Sequence, residues 1–198
     1  MKEGLFIVIY GANNLGKSTQ VEKLVDDLNK AGISAQKLKY PIYDLDPTGP
    51  LINEQLRGTA GQTLTETEFQ DLYIKNRFDY QPQLVRLLNE GVTVIAEDYV
   101  GTGIAWGWVK GLSVDELLEK NKGLLKPDVE ILIDGERFET TDVKNIHEQD
   151  DGLWLRSRRA HLELAARLNW AVVNANQEID EVNEDILSVL EKQIANLE

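Results

Sequence analysis

Residues 11–18, GANNLGKS, follow the apolar run LFIVIY at residues 5–10 and open an amphipathic segment. This junction constrains the fold more than any other stretch of the chain. An apolar run without alternation predicts a strand covered on both faces, as in a parallel sheet. After the loop, Val21, Leu24, Val25 and Leu28 recur at helical spacing, and Gly32 ends a helix predicted over residues 17–31. Strand, glycine-bounded loop and helix, in that order, are the context in which G-x-x-x-x-G-K-[ST] holds phosphate. The glycines allow a tight turn that points backbone N–H groups inward, and the helix N-terminus adds partial positive charge. Gly11, Ala12, Asn13, Asn14, Leu15, Gly16, Lys17, Ser18 and Thr19 are therefore candidate ATP-binding residues. Lys17 is placed to reach the β- and γ-phosphates, and the Ser18 hydroxyl to ligate Mg²⁺.

Beyond the loop, strands are predicted over residues 33–40, 92–96, 129–133 and 170–174. Helices are predicted over residues 51–57, 66–90, 104–110, 114–121, 153–168 and 178–196. Thr65 and Glu68 have capping-box spacing. Pro82 predicts a kink or break in the long helix, and residues 100–103 read as a small flexible loop. Strands alternating with helices predict an α/β fold, a three-layer domain around a parallel sheet. With 198 residues and no repeat, low-complexity tract or long linker, residues 1–198 are expected to form a single domain.

Charge and composition narrow the partners. A net charge of −13 opposes binding to nucleic acid and to anionic membranes, while a local cluster of cations and amides can still hold a small anion. No apolar run reaches the ~18 residues of a membrane span. The apolar stretch before Gly11 is too short for a signal-peptide core. Cysteine is absent, which excludes disulfides, zinc–thiolate sites and thiol catalysis. A cytoplasmic location is the expectation that fits these features.

Several later segments carry a resemblance. Lys39-Tyr40-Pro41 ends the second strand, and Gly49-Pro50-Leu51-Ile52 opens the next helix. Tyr73-x-x-Asn76-Arg77 lies on the long helix, and Tyr99-x-x-Thr102-Gly103-x-Ala105-Trp106 follows the third strand. Lys126-Pro127-Asp128 precedes the fourth strand, and Arg158-x-x-x-Leu162-x-Leu164-Ala165 lies on the penultimate helix. In this order and at these spacings the chain resembles the thymidylate kinases over nearly its whole length. That family implies a P-loop kinase fold with a five-stranded parallel sheet and a short lid. It implies transfer of the ATP γ-phosphoryl to dTMP, giving dTDP, with Mg²⁺ and usually in a homodimer.

The resemblance places Tyr73 on the thymine ring, Arg77 at the thymine edge and substrate phosphate region, Thr102 near the base and Trp106 beside the deoxyribose. Tyr40 and Pro41 complete the expected substrate-binding set. Helix geometry agrees for one pair: Tyr73 and Arg77 are four apart and share a face, where an aromatic and an arginine can stack a base and bind an anion together.

The chain departs from the family in four places. Asn13 stands where an acid is usual, Tyr10 where a glutamate often precedes the first glycine, and Tyr43 where an arginine follows the proline. Glu97-Asp98 stands where the family has an Asp-Arg pair. In one reading both carboxylates serve Mg²⁺ and the metal supplies the missing positive charge. In another the acceptor is a deoxynucleoside hydroxyl and a carboxylate is its general base. A third reading is a catalytically weak ATP-binding protein. Adjacent side chains at a strand end diverge, so Glu97 is expected on the metal and Asp98 toward the acceptor or lid.

Residues 135–152 are polar and form the expected lid. The phosphate loop offers no cation beyond Lys17, so a second one is expected from the lid or its flanks, among Arg137, Lys144, Arg156, Arg158 and Arg159. Lys17, Glu97, Asp98, Arg137 and Arg156 are the candidate catalytic residues. Lid closure would exclude water from the transfer. His147 with Glu148, Asp150 and Asp151 reads as a solvated loop and not as a metal site.

Overall fold

The strands β1 (Phe6–Tyr10), β2 (Ala35–Lys39), β3 (Thr93–Glu97), β4 (Val129–Asp134) and β5 (Ala171–Asn174) form a five-stranded sheet in the order β2-β3-β1-β4-β5. Each neighbouring pair is parallel. The structure is a computed structural model that describes residues 4–59, 61–138 and 151–195. Residues 139–150, which include most of the expected lid with Lys144, His147, Glu148 and Asp150, lie outside the described residues.

Alternation along β1 explains the unbroken apolar run. Phe6, Val8 and Tyr10 enter one core layer and Ile7 and Ile9 the other, so both faces of the strand are covered. The first layer packs α3 (Glu66–Asn89), α4 (Val100–Val109) and α6 (Asp151–Leu168) on the sheet through Leu84, Ile104 and Leu164. The second packs α1 (Lys17–Lys30) and α7 (Ile179–Ile194) through Leu24 and Ile186. Full burial of a side chain such as Leu24 contributes about 1.5–3 kcal/mol each, and this sets the three-layer architecture. β2 is an edge strand with only Ala35 and Leu38 buried, so its polar residues face outward.

β2 and β3 build out on one side of β1, and β4 and β5 on the other. The carboxyl ends of β1 and β3 therefore meet where the winding reverses, the usual place for a ligand crevice in such sheets.

The helix predictions need three corrections. α3 is continuous through Pro82. Contacts on both sides hold it: Arg77 Nη1 donates to Asn121 Oδ1, the Gln81 amide bonds Gly123 O and Leu125 N, and Leu84 is buried. α2 (Thr48–Arg57) begins before residue 51, because Pro50 sits in the first turn, where no N–H is needed. Residues 100–103 are not a flexible loop but the first turn of α4. A Cβ at Gly101 would lie 2.3 Å from the Trp170 ring, and one at Gly103 would lie 2.4 Å from Arg77 Nη2. These glycines serve close packing. At the start of α3, Thr65 and Glu68 do form the reciprocal capping box. The short helix α5 (Val114–Lys120) begins behind the Ser113 cap.

Candidate active site

The loop between β1 and α1 takes the conformation its glycines allow. Gly11 and Gly16 have φ of 154° and 80°, and Asn14 joins them at 63°. A Cβ on Gly11 would meet Ile133 O at 2.6 Å, so the loop presses on β4. Ala12 and Leu15 are buried in the core and leave only their backbone to a ligand. The Lys17 ammonium is buried and donates to Gly11 O at 2.9 Å and Ala12 O at 3.0 Å. Two residues from far along the chain brace the loop. Trp154 Nε1 of α6 donates to Asn13 O at 2.8 Å, and Phe138 N donates to Asn14 O at 3.0 Å.

The two adjacent acids diverge. Glu97 ends β3, its Oε2 accepting from Ser18 Oγ at 2.7 Å and its Oε1 from Lys39 Nζ at 2.8 Å. Asp98 turns away because its backbone leaves the strand in the left-handed region, at φ 63°. Its Oδ1 accepts from Thr102 Oγ1 at 2.8 Å and lies 3.9 Å from Lys17 Nζ. Burial pushes the Asp98 carboxyl up, against the opposing pull of Lys17. Partial burial lowers the Lys39 ammonium, but its bond to Glu97 and the charge there outweigh this and hold it above the usual lysine value.

From these groups a cavity of about 510 Å³ runs to α3 and α4. Tyr40, Pro41, Phe69, Gln70, Tyr73, Arg77, Thr102 and Trp106 line it. Phe69 and Tyr73 make an aromatic pair with centroids 4.7 Å apart. Arg77 lies at the floor with 4% exposure, among Tyr10, Tyr40, Tyr73 and Tyr99. Burial lowers its pKa, yet an arginine stays charged in a protein. Its Nη1 donates to Asn121 Oδ1 at 3.3 Å, and its Nε is buried with no partner among the described residues. The Tyr40 and Tyr99 hydroxyls are also buried without a partner among the described residues. Burial raises both phenols, Tyr99 to about 12. Asn76 faces elsewhere and clamps Ile42 and Thr48 to α3.

The expected substrate residues on α3, on α4 and just after β2 thus share one cavity with Lys17, Ser18, Thr19, Glu97 and Asp98. The expected arginines at the lid do not. Arg137 and Arg156 are outside the cavity lining: Arg137 Nη1 bonds Asp151 Oδ1 at 3.2 Å, and Arg156 is exposed on α6. Arg158 pairs with both oxygens of Asp134, at 2.7 and 2.8 Å. Several lining residues escaped the sequence reading. Phe69 and Gln70 sit four and three residues before Tyr73, a spacing that places them on its face. Lys39 meets Glu97 only because β2 and β3 pair in parallel register, which no local pattern announces. Trp154 and Phe138 carry no local signal, since only the tertiary fold brings them to the loop.

The described residues hold no group of three or more His, Cys, Asp or Glu side chains suited to a metal. The Ser18 hydroxyl and Glu97 carboxylate, 2.7 Å apart beside the phosphate loop, are the hard oxygen donors that Mg²⁺ accepts together with substrate phosphates. The donor set fits that ion. No helix among the described residues is long and apolar enough to cross a membrane.

Comparison with known proteins agrees with this geometry. The family model described as thymidylate kinase matches residues 9–186. The chain belongs to the thymidylate kinase family. Thymidylate kinase from Dictyostelium discoideum is 26% identical over 100% of this chain and 90% of its own length. The human thymidylate kinase is 29% identical over 98% of this chain and 92% of its own. The solved structure of thymidylate kinase from Candida albicans superposes with a TM-score of 0.85 at 25% identity, covering 96% of this chain and 92% of that one. This family's P-loop kinase architecture is the fold described above.

Proposed function

We infer that the chain is a thymidylate kinase, an ATP-dependent phosphotransferase that moves the γ-phosphoryl of ATP to the 5′-phosphate of dTMP. One observation carries the reading: a single cavity joins Lys17, Ser18 and Glu97 to a floor of Phe69, Tyr73 and Arg77. A phosphate-binding end and a base-binding end in one enclosure hold donor and acceptor together, which converts the transfer into an effectively unimolecular step.

The residues divide the work. The loop amides at Asn13, Asn14 and Gly16, with Lys17, cradle the ATP phosphates. Lys17 exchanges its carbonyl partners for phosphate oxygens. Ser18 and Glu97 would hold Mg²⁺, which when bound neutralises charge on the β- and γ-phosphates. Asp98 fixes Thr102 and the start of α4, and its carboxylate balances Lys17. Tyr73 and Phe69 stack the base, while Thr102, Trp106 and Arg77 border the sugar and the base edge. Pro41 and Tyr40 close the side nearest β2. The chain acts as a homodimer in this reading, which analytical ultracentrifugation tests separately.

The test is ADP release from MgATP with dTMP, dUMP, dCMP, thymidine and deoxycytidine offered singly, and Lys17→Ala as the blank. Fast turnover with dTMP is expected. Turnover with thymidine and none with dTMP would instead make the acids general bases for a hydroxyl acceptor. No turnover above the blank would leave an ATP-binding protein.

A further inference from the structure

The acceptor phosphate of a monophosphate kinase must come beside the γ-phosphoryl, and here that place has two acids next to it. A phosphate monoester carries about −1.5 to −2 charge at neutral pH. Glu97 and Asp98 would repel it unless a cation stands between them and the ligand. Five cations line the cavity among the described residues: Lys17, Lys39, Arg57, Arg77 and Lys110. Lys17 belongs to the phosphate loop. Arg57 lies over the Tyr43 ring, 4.7 Å from its centroid, and bonds Asn53 Oδ1. Lys110 pairs with Glu66 at 3.5 Å. Arg77 is buried among tyrosines at the base-binding floor.

Lys39 differs from these four. Its Nζ lies 2.8 Å from Glu97 Oε1 and 3.5 Å from Ser18 Oγ, so it stands at the point where the two phosphates must meet. An ammonium has three N–H donors. Two meet these oxygens, and the third has no partner among the described residues and is left for a ligand oxygen. The side chain remains 58% exposed, so it is open to a ligand entering the cavity. Its position at the end of β2, with its backbone beside Glu97 in the parallel register, fixes where the charge can reach.

We propose that Lys39 binds the 5′-phosphate of the acceptor nucleotide and supplies the positive charge that Glu97 and Asp98 cannot. Glu97 then has two duties, as an oxygen donor toward the metal and as the anchor that aims Lys39. This rests on the acceptor being a nucleoside monophosphate, as inferred above.

Thymidine and dTMP differ only by the phosphate, so their ratio of affinities isolates the contact. Calorimetric titration of each into the wild type, Lys39→Met and Lys39→Arg, without ATP or Mg²⁺, reads it directly. Loss of a charge-assisted hydrogen bond predicts about 10- to 100-fold weaker dTMP binding in Lys39→Met. Thymidine binding should change less than about twofold on the same argument, because it lacks the partner. Lys39→Arg should restore most of the dTMP affinity. Equal weakening of both ligands would show a merely structural residue and overturn the proposal, as would unchanged dTMP binding. Turnover by the wild type is measured apart from this. A protein that binds dTMP but does not phosphorylate it fails the functional reading, while the affinity ratio still decides the role of Lys39.

Discussion

At the phosphate-loop end of the cavity, Lys17, Ser18 and Lys39 each meet an oxygen already, whereas at the far end Arg77 Nε and the Tyr40 and Tyr99 hydroxyls are buried with no partner among the described residues. To take a ligand the first end exchanges internal bonds: Gly11 O and Ala12 O give up the Lys17 ammonium to phosphate, while Glu97 keeps Lys39, whose third N–H meets the acceptor. At the far end these atoms have no bond to another described residue to break. A buried polar atom without a partner costs about 1–3 kcal/mol, more if charged, so the free protein is under strain there that a ligand or ordered water relieves. Attachment at one end is set by the backbone and is generic to phosphate; at the other it is set by side chains and selects the acceptor.

The largest effect should follow from breaking the exchange end. Lys17→Ala removes the one loop cation and is expected to lower kcat about 10³-fold or more, by the scale of losing a positioned transition-state donor. A coupled ADP-release assay reads it. A melting curve on the same preparation checks the fold, because the variant removes the bonds to Gly11 O and Ala12 O and leaves Asp98, 3.9 Å away, without that cation.

The support of that end can be tested by pH. α6 holds the loop through Trp154 and carries His161, fully buried, with Nδ1 2.8 Å from Ser157 O and Nε2 without a partner among the described residues. Burial pushes this imidazole down to about 4, with Lys17 adding to the shift and Ser157 and Asp134 opposing it. The unfolded value is about 6.5, so between about 4 and 6.5 the unfolded chain binds the extra proton. Stability from neutral His161 is full above that window and is lost as pH falls through it, by about 3 kcal/mol. Urea midpoints of wild type and His161→Gln at pH 7.5 and 4.5 check this. The variant should show the shallower dependence, and parallel curves would remove His161 from the account.

The two ends also differ in how far the sequence reveals them. The loop was readable because its chemistry is local: two glycines, a lysine and a serine in eight consecutive residues, after an apolar strand. The parallel sheet followed from unbroken apolar runs separated by helical periods. Tyr73 and Arg77 are legible as a helix-spaced pair, yet nothing local says that Arg77 is buried with no carboxylate beside it among the described residues. Gly101 and Gly103 looked like flexibility because a glycine's use depends on what approaches it, here Trp170 and Arg77. Pro82 does not break α3, since contacts across the helix outweigh one missing bond. The split of Glu97 and Asp98 was anticipated, but its cause, a left-handed turn at Asp98, belongs to the backbone and has no pattern in residue types.

At the gaining end, substitutions should cost affinity without costing stability. Arg77→Met replaces a buried, incompletely bonded cation with an apolar chain of similar length. Such replacements are often neutral or stabilising, so the thermal midpoint should not fall. Binding of dTMP should weaken about 10- to 100-fold through loss of a charged hydrogen-bond donor. Differential scanning fluorimetry and calorimetry on one preparation read both quantities. A large drop in the midpoint would mean that Arg77 supports the core through its tyrosine neighbours, and the contrast between the ends would fail there.

The smallest and sharpest case is Tyr40→Phe, which deletes a hydroxyl that has no partner among the described residues and leaves the ring packed 5.0 Å from Tyr99 and 6.2 Å from Tyr80. With no bond to lose in the free protein, stability should hold or rise slightly, because the desolvated hydroxyl is gone. If that hydroxyl serves the ligand, directly or through an ordered water, dTMP affinity should fall about 3- to 10-fold, the scale of one neutral hydrogen bond. Thymidine should lose the same factor, since Tyr40 is assigned to the nucleoside end and not to the phosphate. This is the opposite of the pattern expected for Lys39→Met, although the two residues are adjacent at the end of β2. A Tyr40→Phe protein that lost dTMP and kept thymidine would move the boundary between exchanging and gaining groups by one residue along the chain.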